Sequence, residues 1–242
     1  MTNSATTPVL TLLSVFDDAE FVGNVIWYIL LVLSLTFHEY GHAWSAKQLG
    51  DDTAERMGRL TLNPIVHLDP IFTVLMPLLF LFAPGGAAAS SIFICAAKPV
   101  PVNPFNLRRP TRDMMITSAA GPAMNIVLAL FFTAAYWFHT EVREIDVDRN
   151  SSKMIMTAIQ LNLGLAIFNM LPIPPLDGHR VLGYFLPANL RERYYDFGRH
   201  GFLILIGLMY FGVLGNVMGP ILVQVGDVWG HLMPSGKFSF TK

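Results

Sequence analysis

The chain has 242 residues, of which 53% are hydrophobic and only 14% are charged, and its mean hydropathy is +0.48. Soluble domains average roughly 45–50% apolar and about 25% charged residues, so this composition excludes a disordered chain and argues against an ordinary soluble enzyme. The net charge of −1 provides no basic surface for nucleic acid. The single cysteine, Cys95, excludes an intramolecular disulfide and a zinc site made of cysteines alone.

Long apolar runs, each with at most one acidic residue and no lysine or arginine, predict an all-α polytopic membrane protein with about five to six transmembrane helices. A membrane helix needs about 20 apolar residues, and runs of about this length or longer occupy residues 21–44, 114–138, 154–176 and 202–229. The last run is expected to form one span, or two spans broken at Gly219-Pro220. Two shorter runs, 71–82 and 87–97, flank Gly85-Gly86 and predict two short spans, or one span followed by a short re-entrant or β-like segment covered by protein.

The distribution of lysine and arginine predicts the orientation. Residues 1–20 contain neither, and they carry acidic residues where a signal peptide is apolar, so the first span is expected to be retained. Eleven of the sixteen positive charges lie in 47–70, 98–113 and 180–199. These segments fall on one side under simple alternation, and the positive-inside rule places them in the cytoplasm and the N-terminus outside.

The main chemical signal is the motif His38-Glu39-Tyr40-Gly41-His42 near the end of the first apolar run. On a helix, positions i and i+4 share a face, so both imidazoles can bind one metal ion while Glu39 acts on a metal-bound water. Ionisable residues inside a membrane helix are costly and mark function by default. The alternative is a helix end at which His and Glu extend to the interface.

Zinc also needs a third protein ligand, with a position left open for water. Asp177 has the strongest case, because it follows a helix-breaking segment, Pro172-Ile173-Pro174-Pro175, at the end of an apolar run. Its alternative role is the N-cap of a helix that starts at His179. The other candidates are Glu55, His67, Asp69 and His179.

Five motifs between residues 38 and 178 together resemble the site-2 proteases, the zinc intramembrane metalloproteases, in their minimal bacterial or archaeal form without a PDZ or nucleotide-binding domain. In chain order they are His38-Glu39-Tyr40-Gly41-His42, Asn63-Pro64 with His67-Leu68-Asp69-Pro70, Lys98-Pro99-Val100-Pro101-Val102-Asn103, Gly121-Pro122-Ala123-Met124-Asn125, and Asn169-Met170-Leu171-Pro172-Ile173-Pro174-Pro175-Leu176-Asp177-Gly178. One departure is Ile94-Cys95, which stands where the family often has Gly-Trp.

The resemblance implies one bound Zn²⁺, with His38, His42 and Asp177 as ligands and Glu39 as the catalytic acid–base. It also implies that Asn125 and Asn169 line the site.

The resemblance further implies a zinc metalloendopeptidase that cleaves the transmembrane segment of single-span proteins, such as an anti-sigma factor or a membrane-tethered regulator. We expect one membrane-embedded protease domain over 1–242 in the plasma membrane. It would comprise an extracytoplasmic segment (1–20), a catalytic core (21–178) and C-terminal helices (179–242). The alternatives are a multi-span metal-ion transporter and a membrane zinc hydrolase with a non-peptide substrate.

Two further expectations concern the substrate. Asn125 is expected to stabilise the developing oxyanion or to form an interhelical hydrogen bond. Residues 91–103 end in alternating proline and valine, which suits an edge strand. That strand, with Val100 and Val102, would hold an unwound substrate by β-augmentation. The alternative is a simple connecting loop.

Overall fold

The structure is a computed structural model, and it describes residues 19–77, 97–142 and 149–232. Within these ranges the regular elements are helical and no strand occurs. Five short segments of 3-10 or π-helix also occur, at Pro64–His67, Pro70–Leu75, Pro104–Asn106, Phe138–Val142 and Gly198–His200. The α-helices are α1 (Ala19–Gln48), α2 (Thr53–Arg56), α3 (Pro110–Trp137), α4 (Arg149–Asn169), α5 (Asp177–Phe185), α6 (Ala188–Phe197), α7 (Gly201–Tyr210) and α8 (Val213–Gly230).

Two helical segments, Val22–Gln48 and Pro110–Glu141, are long and apolar enough to cross a membrane. A third span results if the pair Ala188–Tyr210 and Val213–Gly230, bent by 78°, counts as one crossing. The apolar helices agree with the predicted all-α membrane protein, but the described residues do not provide five to six spans. Most of the two shorter apolar runs, from residue 78 to residue 96, lies outside the described residues.

The break in the last apolar run differs from the prediction. It lies at Gly212, whose φ of +70° is the left-handed conformation that glycine adopts without steric cost. The predicted break at Gly219-Pro220 is wrong, because Pro220 lies within α8. The missing N–H of one proline does not end this helix, whereas the left-handed residue before Val213 changes the direction of the chain.

Helices α1, α3 and α4 pack against one another and form the centre of the molecule. A Cβ atom added at Gly41 would lie 2.7 Å from the carbonyl oxygen of Ala120, so the backbones of α1 and α3 approach closely at the His-Glu motif. Small residues permit this approach in membrane helices. Ile155 and Ile159 of α4 pack in one cluster with Tyr136 near the end of α3, so α3 and α4 run antiparallel.

The basic segments gather at one end of this bundle. The backbone N–H of Arg108 donates to the carbonyl of Leu49, which joins the end of α1 to the segment before α3. Arg180 of α5 donates to the sulfur of Met114 in the first turns of α3. At the other end, Trp229 of α8 donates its indole N–H to Thr133 of α3.

Candidate metal centre

The two histidines of the motif face each other on α1. Their Nε2 atoms lie 3.1 Å apart, as the i, i+4 spacing predicts, and both side chains are buried. The space for the two rings exists because residue 121 on α3 is glycine. A Cβ atom there would overlap the Nε2 atoms of both His38 and His42.

Asp177 reaches the same point from a different part of the chain. Helix α4 ends at Asn169, and α5 begins at Asp177 itself, with Leu176 as its N-cap. The predicted alternative, Asp177 as the cap of a helix beginning at His179, is therefore wrong. Gly178 fits against the carbonyl of Met170, where a Cβ atom would clash. This close turn holds Asp177 Oδ2 at 3.1 Å from His38 Nε2 and 3.3 Å from His42 Nε2.

These three atoms fit a zinc ion by distance and by chemistry. Ligands placed tetrahedrally at about 2.0–2.1 Å from zinc are about 3.3 Å apart. The Nδ1–H of His38 donates to Asn125 Oδ1 and the Nδ1–H of His42 donates to the Thr117 carbonyl. The second nitrogen of each ring, Nε2, faces the carboxylate oxygen, so three potential metal-ligand atoms converge on one point. Within the described residues this is the one group of His, Cys, Asp or Glu that could hold a metal ion.

Glu39 lies beside this group in a cavity of about 950 Å³. Its side chain is buried, and its Oε2 accepts a hydrogen bond of 2.9 Å from the backbone N–H of Val100. The cavity is also lined by Val102, Asn169 and Arg180, and by apolar residues of α3, α4 and α7. An extended peptide therefore has room beside both the metal ligands and an acid–base group.

The predicted edge strand falls partly outside the described residues, at 91–96. Residues 97–103 form no strand, but they are held at several points. The N–H of Lys98 donates to the carbonyl of His67, and the N–H of Asn103 donates to Asp51 Oδ2. Val100 and Val102 thus face the cavity from an anchored segment, although no ladder of strand hydrogen bonds exists in this part of the chain.

The two predicted asparagines have different surroundings. Asn125 is fully buried, and its amide donates to Asn162 Oδ1 and to the Ser34 carbonyl, while its oxygen accepts from His38. Asn125 therefore forms the predicted interhelical hydrogen bonds. These bonds use both amide hydrogens, so none remains to stabilise an oxyanion. Asn169 lines the cavity and donates to the Leu165 carbonyl of its own helix.

The other candidates for the third ligand lie elsewhere. Glu55 forms an ion pair of 2.6 Å with Lys47. Asp69 accepts backbone N–H groups at the start of the following π-helix, although it also lines the cavity. His67 is buried, with Nε2 2.9 Å from the Thr61 carbonyl.

His179 packs against two tyrosines, Tyr194 and Tyr195. Burial and the neighbouring Arg180 lower the pKa of His179. A neutral imidazole in this position contributes packing and does not reach the metal ligands.

Sequence reasoning missed several residues that support the site. Asn162 and Ser34 are buried polar residues in apolar runs. Asn162 lies near the centre of α4, and Ser34 lies one turn before His38 on α1. A polar amide in the middle of an uncharged run was the available signal. Thr117 acts through its backbone carbonyl, so its side chain gave no signal. Asp51, just after α1, is fully buried, and it was not among the predicted site residues.

Comparisons with known proteins agree with this centre. The profile described as "Peptidase family M50" matches residues 26–159 and 144–211. The chain belongs to peptidase family M50. This membership confirms the resemblance to the site-2 proteases and the predicted class of zinc metallopeptidase.

The relatives carry matching names. "Putative zinc metalloprotease YwhC" of Bacillus subtilis is 36% identical over 80% of this chain and 84% of its own length. "Putative zinc metalloprotease Rip2" of Mycolicibacterium smegmatis is 31% identical over 74% of this chain, which spans 64% of that protein. "Zinc metalloprotease MJ0392" of Methanocaldococcus jannaschii is 24% identical over 66% of this chain and 35% of its own length. No solved structure gives a significant match.

Proposed function

We propose that this chain is a zinc-dependent endopeptidase that cleaves the transmembrane segment of single-span membrane proteins. The observation that carries the proposal is the meeting of His38, His42 and Asp177 beside Glu39 in one cavity between apolar helices. A buried base next to a metal centre supports hydrolysis, and a cavity of about 950 Å³ accommodates several residues of an extended peptide. Both metal-binding histidines lie in a helix that can cross a membrane, which favours a substrate inside the bilayer.

In the proposed hydrolysis, zinc would activate the water and the carbonyl, and Glu39 transfers the proton. Zinc bound by these residues would lower the pKa of a bound water to about 7 and polarise the scissile carbonyl. Glu39 takes the proton of the attacking water and passes it to the leaving nitrogen. The N–H of Val100 holds one oxygen of Glu39, which keeps the carboxylate at the cavity wall. Asn125 holds the ring of His38, a positioning role that replaces the oxyanion role considered first.

The segment 97–103 supports a defined substrate contact. In an extended segment, Pro99 and Pro101 point to one edge, and neither has an N–H. At these two prolines the edge offers carbonyl acceptors alone, so a substrate strand would bind there through its own N–H groups, with Val100 and Val102 as side-chain contacts. Charged replacements at Val100 and Val102 should abolish cleavage and leave zinc content unchanged. Intact cleavage in that variant would reject the contact.

The location of the basic segments supports the proposed topology. The ends of α1 and the starts of α3 and α5 lie together, so their lysines and arginines can share the cytoplasmic face of the plasma membrane. The active site would then lie near that face. Trp229 near the end of α8 contacts Thr133, away from the basic segments, which supports an extracytoplasmic location for the end of α8. We extend the proposal to a single membrane-embedded domain whose substrate is a membrane-tethered regulator such as an anti-sigma factor.

A reconstitution experiment tests this function. Purified protein is placed in lipid vesicles with a panel of single-span reporters, and products are mapped by mass spectrometry, with Glu39→Gln as the control. We expect cuts within the membrane segment by wild type alone. Cuts confined to soluble loops would reject the intramembrane part. Zinc movement across the vesicle without any cut would favour a metal transporter, and zinc binding with neither activity would favour a non-peptide hydrolase.

A further inference from the structure

A chain of buried polar groups runs from the centre of α4 to the metal ligand His38. Asn162 and Asn125 are both completely buried, and Ser34 is 3% exposed. Asn162 Nδ2 donates to the Ala158 carbonyl at 2.9 Å and to Ser34 Oγ at 3.0 Å. Asn125 Nδ2 in turn donates to Asn162 Oδ1 at 2.9 Å and to the Ser34 carbonyl at 3.3 Å. Neither amide nitrogen of the pair is left without an acceptor.

Three oxygens that cannot donate, the carbonyls of Ala158 and Ser34 and the amide oxygen of Asn162, determine the direction of the hydrogen bonds that lead to His38. The Ala158 carbonyl only accepts, so the amide nitrogen of Asn162 faces it and the oxygen faces Asn125. That oxygen also only accepts, so it fixes the amide of Asn125, whose oxygen then faces His38. His38 must therefore carry its proton on Nδ1, 2.6 Å from Asn125 Oδ1, and its Nε2 lone pair remains for the metal.

We propose that Asn162 is a positioning residue of the metal centre, acting through Asn125 on the tautomer and ring orientation of His38. The inference rests on the proposed zinc site and deepens it. Asn162 touches none of the three metal ligands, and its contribution is to help fix the direction of the amide of Asn125. Removal of a residue that hydrogen-bonds a metal ligand directly, as Asn125 does for His38, typically changes metal affinity by about 10- to 100-fold, and Asn162 acts on that hydrogen bond.

Loss of the Asn162 side chain would release Asn125. The Ser34 carbonyl, at the longer distance of 3.3 Å, would be the one acceptor left to hold the amide in its native direction, so the amide would rotate more readily. A rotated Asn125 would present N–H to His38, which stabilises the tautomer protonated on Nε2. That tautomer has no lone pair for the metal, so each such molecule is unable to bind zinc with His38.

The experiment measures zinc affinity by chelator competition on the purified protein in detergent, apart from any cleavage assay. Asn162→Leu, of similar size and without polar atoms, should bind zinc about 10- to 100-fold more weakly. Asn162→Asp should stay within about threefold of wild type, because a buried neutral carboxylic acid can donate to Ala158 and accept from Asn125. The matched control is Thr133→Val, which removes another buried interhelical hydrogen bond, from Trp229, far along α3. It should lower thermal stability and leave zinc affinity unchanged.

Two results would overturn the inference: wild-type zinc affinity in folded Asn162→Leu, or an equal loss in Thr133→Val. If Asn162→Leu does not fold, the test is the tautomer of His38 in wild-type apoprotein, measured from the ¹⁵N spectra of the imidazoles. We expect the Nδ1–H tautomer for His38, and the Nε2–H tautomer would overturn the inference. Failure of the proposed function looks different. If only the proposed function is wrong, the zinc affinities of the Asn162 and Thr133 variants would still be those expected above, and wild type would cleave no substrate.

Discussion

Replacing Gly121 by alanine should remove zinc from the protein without unfolding it. The added Cβ would lie 2.7 Å from His38 Nε2 and closer still to His42, whereas ordinary contacts begin at 3.4 Å. The ring of His38 would have to move by about 0.7 Å, and that of His42 by more, while metal–ligand distances tolerate about 0.2 Å. Both imidazoles would leave their positions together. We expect zinc affinity to fall at least 100-fold, which corresponds to about 2.8 kcal/mol.

The assay is zinc stoichiometry and chelator competition on purified protein, with thermal unfolding in parallel. Gly215→Ala is the matched control, because a Cβ at this position of α8 meets nothing within 4 Å. It should retain zinc and gain up to about 1 kcal/mol of stability, since alanine is the better helix residue. Full zinc affinity in folded Gly121→Ala would refute the positions assigned to the two histidines.

Three further predictions can be checked on purified protein. Glu39→Gln should keep zinc and lose at least about 100-fold in cleavage rate, measured with a single-span reporter, because the amide cannot accept a proton. Burial opposes ionisation of Asp51, but hydrogen bonds from Thr53, Asn106 and Asn103 outweigh it and lower its pKa. The stability this adds is present above the unfolded pKa of about 3.9 and is lost as pH falls through the folded pKa. Asp51→Asn should therefore reduce stability by about 1–3 kcal/mol at pH 7, and chemical unfolding should show that difference shrinking below pH 4. Arg191→Met should destabilise the end of α5, where the guanidinium donates to three carbonyls, and retain zinc in a metal assay.

The centre of the site was predictable because its signals are local or tied to a motif. The i, i+4 spacing of His38 and His42 determines a shared helical face, and the prolines before Asp177 predict the end of a helix. The helix break at Gly212 was missed, since a glycine is equally compatible with an unbroken apolar helix.

The supporting groups depend on tertiary packing that no local pattern encodes. Asn162 lies 37 residues from Asn125 and 128 from Ser34, and it meets both only after α1, α3 and α4 have packed. Asp51 is buried by the segment around Asn103, which approaches from more than 50 residues away. Hydropathy likewise predicted the spans at 21–44 and 114–138, whereas the number of crossings depends on how the later helices bend.

Zinc content and affinity of purified wild type and Asp177→Asn test the central claim most directly. The claim is that His38, His42 and Asp177 bind one ion between α1 and the start of α5. We predict one zinc per chain in wild type and a loss of affinity of at least about 100-fold in Asp177→Asn, because one of three protein ligands loses its charge. Absence of zinc from folded wild type, or unchanged affinity in Asp177→Asn, would contradict the account.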